Sequence, residues 1–132
     1  MSWQTARLGA TYDLLAPDGS EIRLLVQTSA GSMVHCTLQP GQVTIAVRHR
    51  TVEEVWFCAA GTGELWRRSA ASQHAESVAL EPGSAVSIPL GTDFQFRAIG
   101  PEPLQVIITT MPPWPGEDEA VRVDGAWRPT VA

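Results

Sequence analysis

The chain has 132 residues, of which 44% are hydrophobic and 17% charged, as is typical of one globular domain. Its formal net charge is −5 and it contains no lysine, which argues against nucleic-acid binding and excludes a lysine Schiff base. No apolar run reaches about 18 residues and the N-terminus lacks the pattern of a secretory signal. We therefore expect no membrane association and a cytoplasmic location.

The chain opens with an arm, residues 1–20, that shows no clear hydrophobic period. A short strand is predicted near Tyr12 to Leu15, and the arm ends in the turn Pro17-Asp18-Gly19-Ser20.

Short apolar segments then follow at intervals of about ten residues, separated by glycine and proline turns. The predicted strands are Glu21 to Gln27, Ser32 to Leu38, Gln42 to His49, Glu54 to Ala59, Gly63 to Arg68, Glu76 to Leu80, Ala85 to Ile88, Phe94 to Ala98 and Leu104 to Thr110. With no segment of helical period, this pattern predicts an all-β sandwich or barrel over residues 21–111.

Residues 112–132 form a tail of different character. Its prolines disfavour a central strand, while Trp114 and Trp127 are too apolar to remain in solvent. We expect the tail to pack on the barrel or on a partner subunit, with one helical turn near Glu117 to Val121.

Alternation of side chains along strands identifies the inner face. In the strand from Gln42 the apolar residues share a side with His49, which therefore points inward, whereas Arg48 and Arg50 point outward. Glu54 and Trp56 share a side in the next strand, but both of its faces are rather apolar. For His35, its neighbours favour an outward orientation.

His49 and Glu54 are predicted to lie close together on two neighbouring strands between glycine turns, which indicates a metal site or an acid/base site inside the barrel. Trp56, Phe94 and Phe96 are either core residues or the lining of a ligand pocket. Cys36 and Cys58 form no CxxC motif, and we interpret them as small core residues.

Two spacings resemble those of the cupin family. The first cupin motif has a glycine, a His-x-His pair, a glutamate and a glycine; Gly41, Val47-Arg48-His49, Glu54 and Gly61 fall in that register. The second has Gly, Pro-x-Gly, His and Asn, where this chain has Gly83, Pro89-Leu90-Gly91, Phe94 and Ala98.

This resemblance implies a double-sheet jelly-roll barrel, often homodimeric, with a small-molecule pocket in its mouth. The family pattern would hold a divalent metal such as iron, manganese, nickel or zinc through three histidines and the glutamate. Here Val47 and Phe94 replace two of the histidines, so only His49 and Glu54 remain as metal ligands, fewer than such sites usually offer. A metal-free site is the alternative.

Three hypotheses stay open at this point. The first is an enzyme of the isomerase, lyase or oxygenase kind that uses His49 and Glu54 as catalytic groups or metal ligands. The second is a non-catalytic module that binds or senses a small organic molecule against Trp56, Phe94 and Phe96. The third is a structural dimer partner without a working site.

Overall fold

The computed structural model describes residues 2–131, so Met1 and Ala132, at the ends of the predicted arm and tail, lie outside the described residues. Eleven strands are seen in this part of the chain: β1 (Leu14–Leu15), β2 (Glu21–Gln27), β3 (Ser32–Leu38), β4 (Val47–His49), β5 (Glu53–Ala60), β6 (Gly63–Ser69), β7 (Ala75–Leu80), β8 (Ala85–Ile88), β9 (Thr92–Ala98), β10 (Leu104–Met111) and β11 (Ala120–Arg122). One 3-10 helix, Glu117–Glu119, precedes β11. No helix within residues 2–131 has the length and hydropathy needed to cross a bilayer.

The strands form two antiparallel sheets that face each other across one core. The six-stranded sheet has the order β1-β2-β3-β10-β5-β8, and the five-stranded sheet has the order β11-β4-β9-β6-β7. This is the predicted jelly-roll barrel, because alternate residues of both sheets turn inward and bury apolar side chains between them. In β10, for example, Leu104, Val106 and Ile108 are buried and the residues between them are partly exposed.

The predicted strand from Gln42 to His49 is too long. Only Val47–His49 forms β4, while residue Val43 makes an isolated bridge to Arg97. The Thr44 side chain interrupts the ladder, because its hydroxyl donates to the carbonyl of Phe96 and accepts from the Phe96 amide.

The tail packs along the five-stranded sheet of the same chain. Its residues Ala120–Arg122 form β11 at the edge of that sheet, paired with β4, where the sequence predicted a helical turn as far as Val121. Farther along, the Gln95 side chain bonds the amide and carbonyl of Trp127, and Thr130 bonds Val43. The outer face of this sheet is therefore covered by the tail, which explains why Thr44 and Ala46 are also buried.

Glu119 fastens the tail to the turn between β4 and β5. Its carboxylate accepts from the amide and hydroxyl of Thr51, at 2.5 and 2.6 Å, and from the amide of Val52 at 3.0 Å. Burial alone would raise the pKa of Glu119, but these hydrogen bonds favour the charged form and lower it.

The arm runs across the outside of the six-stranded sheet. The Arg23 guanidinium donates to the carbonyls of Gly9 and Ala10 and to the Thr37 hydroxyl, which holds the arm in place. His35 lies on this outer face, as predicted, since it is paired in register with Arg23 and bonds Gln105 at 2.9 Å.

Candidate functional site

A cavity of about 470 Å³ lies between the two sheets at one end of the barrel. Its wall comes from the turn before β2, from the inner faces of both sheets, and from the tail. The wall residues that carry chemistry are Asp18, His49, Glu54, Trp56, Phe94, Thr110, Trp114 and Glu117. A shallower groove of about 680 Å³ lies under the tail, but its buried amide, Gln95, is already bonded to Trp127.

His49 is positioned by β4 and is 8% exposed. Its ring packs edge-on against Phe94 and Trp114, with centroids 5.2 and 5.1 Å away. Burial lowers the pKa of His49 from 6.5 to about 4, against an opposing effect of the Glu119 carboxylate. The imidazole is therefore neutral at pH 7, and its buried Nδ1 has no hydrogen-bond partner among the described residues.

Glu54 is positioned by β5, with each carboxyl oxygen accepting one hydrogen bond. The Trp56 indole donates to Oε1 at 3.0 Å and the Thr110 hydroxyl donates to Oε2 at 2.7 Å. Burial nevertheless dominates and raises the pKa of Glu54 from 4.5 to about 7. Near neutral pH this carboxyl is therefore close to half-protonated, which suits a group that gives or takes a proton.

His49 and Glu54 line the same cavity from opposite walls. The sequence interpretation placed them on neighbouring strands, and this is wrong, since β4 belongs to the five-stranded sheet and β5 to the six-stranded sheet. The turn at residues 50–52 carries the chain from one sheet to the other. A ligand between the sheets would therefore meet the two groups on different sides.

Asp18 is a second buried carboxyl in the cavity wall that the sequence did not indicate. Its Oδ1 accepts from the amide and hydroxyl of Ser20, at 2.9 and 2.6 Å, and burial raises the pKa of this carboxyl above its usual 3.8. In the sequence it is an ordinary turn residue, and no spacing signal distinguishes it. The turn places it there because Gly19 adopts a φ of +96° and reverses the chain.

The predicted aromatic residues separate into two groups. Trp56 and Phe94 line the cavity with ring centroids 5.7 Å apart, whereas Phe96 lies behind Trp56 at 4.9 Å and is not part of the wall. Trp114 from the tail completes the aromatic wall above His49. Its apolarity indicated that the tail would pack, but not where.

The donor set does not fit a resident divalent metal. Val47 and Phe94, at the motif positions where cupins have histidine, are partners in register on β4 and β9, and both line the cavity with hydrocarbon. Within residues 2–131 no group of three or more His, Cys, Asp or Glu side chains is arranged to hold a metal ion.

The other candidate ligands point elsewhere. Asp93 is fully buried on the outer face, where it binds Arg48 at 2.6 Å and Arg68 at 2.7 Å, so it cannot reach the cavity. Cys36 and Cys58 are free and buried, and burial raises the pKa of both thiols.

Comparison with known proteins places this geometry in a family. The chain is 26% identical over 119 residues to "Uncharacterized protein MJ1618" of Methanocaldococcus jannaschii. The alignment covers 83% of this chain and 90% of that protein. The structure of KdgF from Halomonas sp. is similar with a TM-score of 0.66 and 18% identity, covering 81% of this chain and 93% of that one. The capsular polysaccharide assembling protein CapF from Staphylococcus aureus gives a TM-score of 0.72 with 14% identity, over 92% of this chain and 35% of that chain.

The family model of the cupin domain matches residues 34–110. That match runs from β3 to β10 and includes both motif regions with His49, Glu54, Trp56 and Phe94, whereas the turn before β2 and the tail lie outside it. The chain therefore belongs to the cupin family.

Proposed function

We propose that this cupin binds a small, largely apolar organic molecule in the barrel cavity without a metal. The observation that carries this proposal is the cavity of about 470 Å³, whose wall combines aromatic rings with a few buried polar groups. A volume of that size and a mostly apolar lining are usual for small-molecule sites. Trp56, Phe94 and Trp114 supply the apolar contacts.

A catalytic role in proton transfer is the second candidate. It is favoured by Glu54, whose pKa is raised to about 7, and by the neutral imidazole of His49 with its unpartnered Nδ1. Together these groups would move a proton on a bound molecule, as an isomerase or lyase requires. A molecule that binds and loses a C–H signal in deuterated water, but not in the Glu54→Gln variant, would support this candidate over simple binding.

Binding can be tested by NMR, because each tryptophan indole gives its own N–H resonance. Titration with small mono- and bicyclic aromatic compounds, in the presence of chelator, is expected to shift the indole signals of Trp56 and Trp114. Trp3, which is 98% exposed, provides an internal control that should not move. An Ala16→Trp change in the cavity wall should abolish the shifts by filling the space.

Two outcomes would contradict the proposal. Either no compound moves the Trp56 and Trp114 signals, or the shifts survive in Ala16→Trp with the fold intact.

We also propose that two copies associate through the outer face of the six-stranded sheet. Its apolar positions adjoin in register: Phe57 faces Ile107, and Val55 and Met33 flank Thr109. Phe57 is 50% exposed and Val55 46% exposed. Contiguous exposed apolar side chains of this kind mark an interaction surface, and in a two-fold dimer the same patch of both copies would be buried.

Light scattering tests this association. The unmodified chain is expected to have the mass of a dimer, and Phe57→Lys that of a monomer. The matched control is Ile99→Lys, which alters a side chain that is 59% exposed outside the sheet face and should leave the dimer intact. A monomeric parent chain, or a dimeric Phe57→Lys variant, would remove the proposal.

A further inference from the structure

In the described part of the chain, the ionisable groups of the cavity wall include carboxyl groups but no arginine or lysine. Three carboxyl groups line it: Asp18 from the turn before β2, Glu54 from β5 and the exposed Glu117 from the tail. No arginine of the described chain lines the cavity, and the sequence contains no lysine. Arg67, which pairs in register with Phe94, is bonded to Glu76 and to the Ser87 carbonyl, and Arg48 and Arg68 are held on the outer face by Asp93.

Within residues 2–131, neither of the two buried carboxyl groups has a cationic partner. Asp18 is 8% exposed and Glu54 is 6% exposed, and their hydrogen bonds come from two hydroxyls, an amide and an indole. Each ionised carboxyl oxygen can accept two hydrogen bonds, so acceptor capacity is left over on Glu54. A buried carboxylate without a compensating charge is costly, and a ligand that brings a positive charge removes that cost.

A third polar group in the wall, the His49 imidazole, could accept a hydrogen bond from a ligand. The Nδ1 of His49 is buried without a partner among residues 2–131. Because this imidazole is neutral at pH 7, the tautomer with its proton on Nε2 presents Nδ1 as an acceptor. An ammonium group is a donor with no acceptor, whereas an anion would offer Nδ1 and both carboxyl groups only further acceptors.

The remaining wall is aromatic. Trp56, Phe94 and Trp114 surround the polar groups, and tryptophan is the aromatic side chain that attracts cations most strongly. Aromatic rings and carboxyl groups in one enclosed space form an arrangement suited to substituted ammonium ions.

We propose that the cavity selects an organic cation, an amine or ammonium attached to an apolar group, and rejects carboxylates and phosphates. This inference rests on the proposed function, since it names the chemical class of the ligand in the same cavity. The charged end meets Asp18, Glu54 and His49, and the apolar part lies against the aromatic rings.

Three probes of equal ring size test this selectivity: benzylamine, benzyl alcohol and benzoate, each titrated by NMR at pH 8. At this pH benzylamine remains protonated. Glu54 is mostly ionised, because the pH is above its pKa of about 7. Benzylamine is expected to bind at least about tenfold more tightly than benzyl alcohol, and benzoate most weakly.

Variants of the carboxyl groups locate the effect. Glu54→Gln and Asp18→Asn should each reduce the preference for benzylamine over benzyl alcohol by roughly threefold or more, while benzyl alcohol binding is retained. Glu81→Gln removes one negative charge from the exposed turn after β7, outside the cavity, and should leave the preference unchanged.

The outcomes are distinct. Equal binding of benzylamine and benzyl alcohol, or tighter binding of benzoate, would overturn the cation selectivity and leave the ligand cavity standing. A preference that survives in both carboxyl variants would also overturn it. If none of the three probes shifts Trp56 or Trp114, the proposed function fails and this inference fails with it.

Discussion

Replacing Glu54 with glutamine is expected to stabilise the folded protein by about 3 kcal/mol above pH 7, relative to the unmodified chain. The pKa of Glu54 is raised from 4.5 to about 7, mainly by burial. Between these values the unfolded chain has lost the Glu54 proton while the folded protein keeps it, so the free energy of unfolding falls as the pH rises. The free energy of unfolding falls by about 1.4 kcal/mol per pH unit, so the loss between the two pKa values is about 3 kcal/mol.

Glutamine avoids this loss and fits the same partners. Its carbonyl oxygen accepts from the Trp56 indole, and its amide donates to the Thr110 hydroxyl, which can rotate to accept. Urea unfolding of both proteins from pH 5 to pH 8 measures the effect. The stability advantage of Glu54→Gln should be small near pH 5 and grow to its full value above pH 7, raising the melting temperature by roughly 10 °C.

Thr110→Val is the matched control for this series. It removes a hydrogen bond that favours the ionised carboxyl, so the pKa of Glu54 should rise further. The variant should therefore keep the fall in stability with pH and extend it to higher pH. A Glu54→Gln advantage that is the same at pH 5 and pH 8 would mean that the carboxyl does not titrate in this interval.

A metal site is expected to appear when the two missing histidines are restored. The double change V47H/F94H adds two imidazoles at positions that are paired in register on the adjacent strands β4 and β9. Both positions line the cavity together with His49 and Glu54. Four ligands of this kind suit zinc or nickel. Zinc affinity measured by calorimetry should rise by roughly 10³-fold or more, to near one metal ion per chain.

The single changes provide the comparison. V47H and F94H alone leave three ligands each and should bind more weakly than the double variant, and the unmodified chain should contain metal well below one per chain. Near-stoichiometric metal in the unmodified chain would show that His49 and Glu54 recruit other ligands, and the metal-free proposal would then be wrong.

Most of the fold follows from local patterns. Alternation and glycine turns predicted the strands from Glu21 to Thr110 closely, because each is bounded by a turn residue that the backbone requires. The exception is residues 42–46, where the strand prediction fails because the Thr44 side chain bonds the Phe96 backbone, a contact over 52 residues that no local pattern contains. Likewise β11 exists only because the exposed edge of β4 accepts it.

The candidate site was predictable only in part. Alternation predicted that His49 and Phe94 turn inward, but it did not choose between the two apolar faces of the strand that carries Glu54 and Trp56; all four line one cavity. Asp18 could not be foreseen, because its place depends on how the turn before β2 packs against the barrel.

The contacts that fasten the tail to the barrel also bear on how the protein folds during its synthesis. They join segments distant in sequence: Glu119 lies 68 residues from Thr51, Trp114 82 residues from Ser32, and Thr130 87 residues from Val43. During synthesis strands β1 to β10 emerge before the segment that closes the cavity wall. The nascent barrel therefore passes through a stage with an open, apolar mouth, and long-range contacts of this kind form slowly.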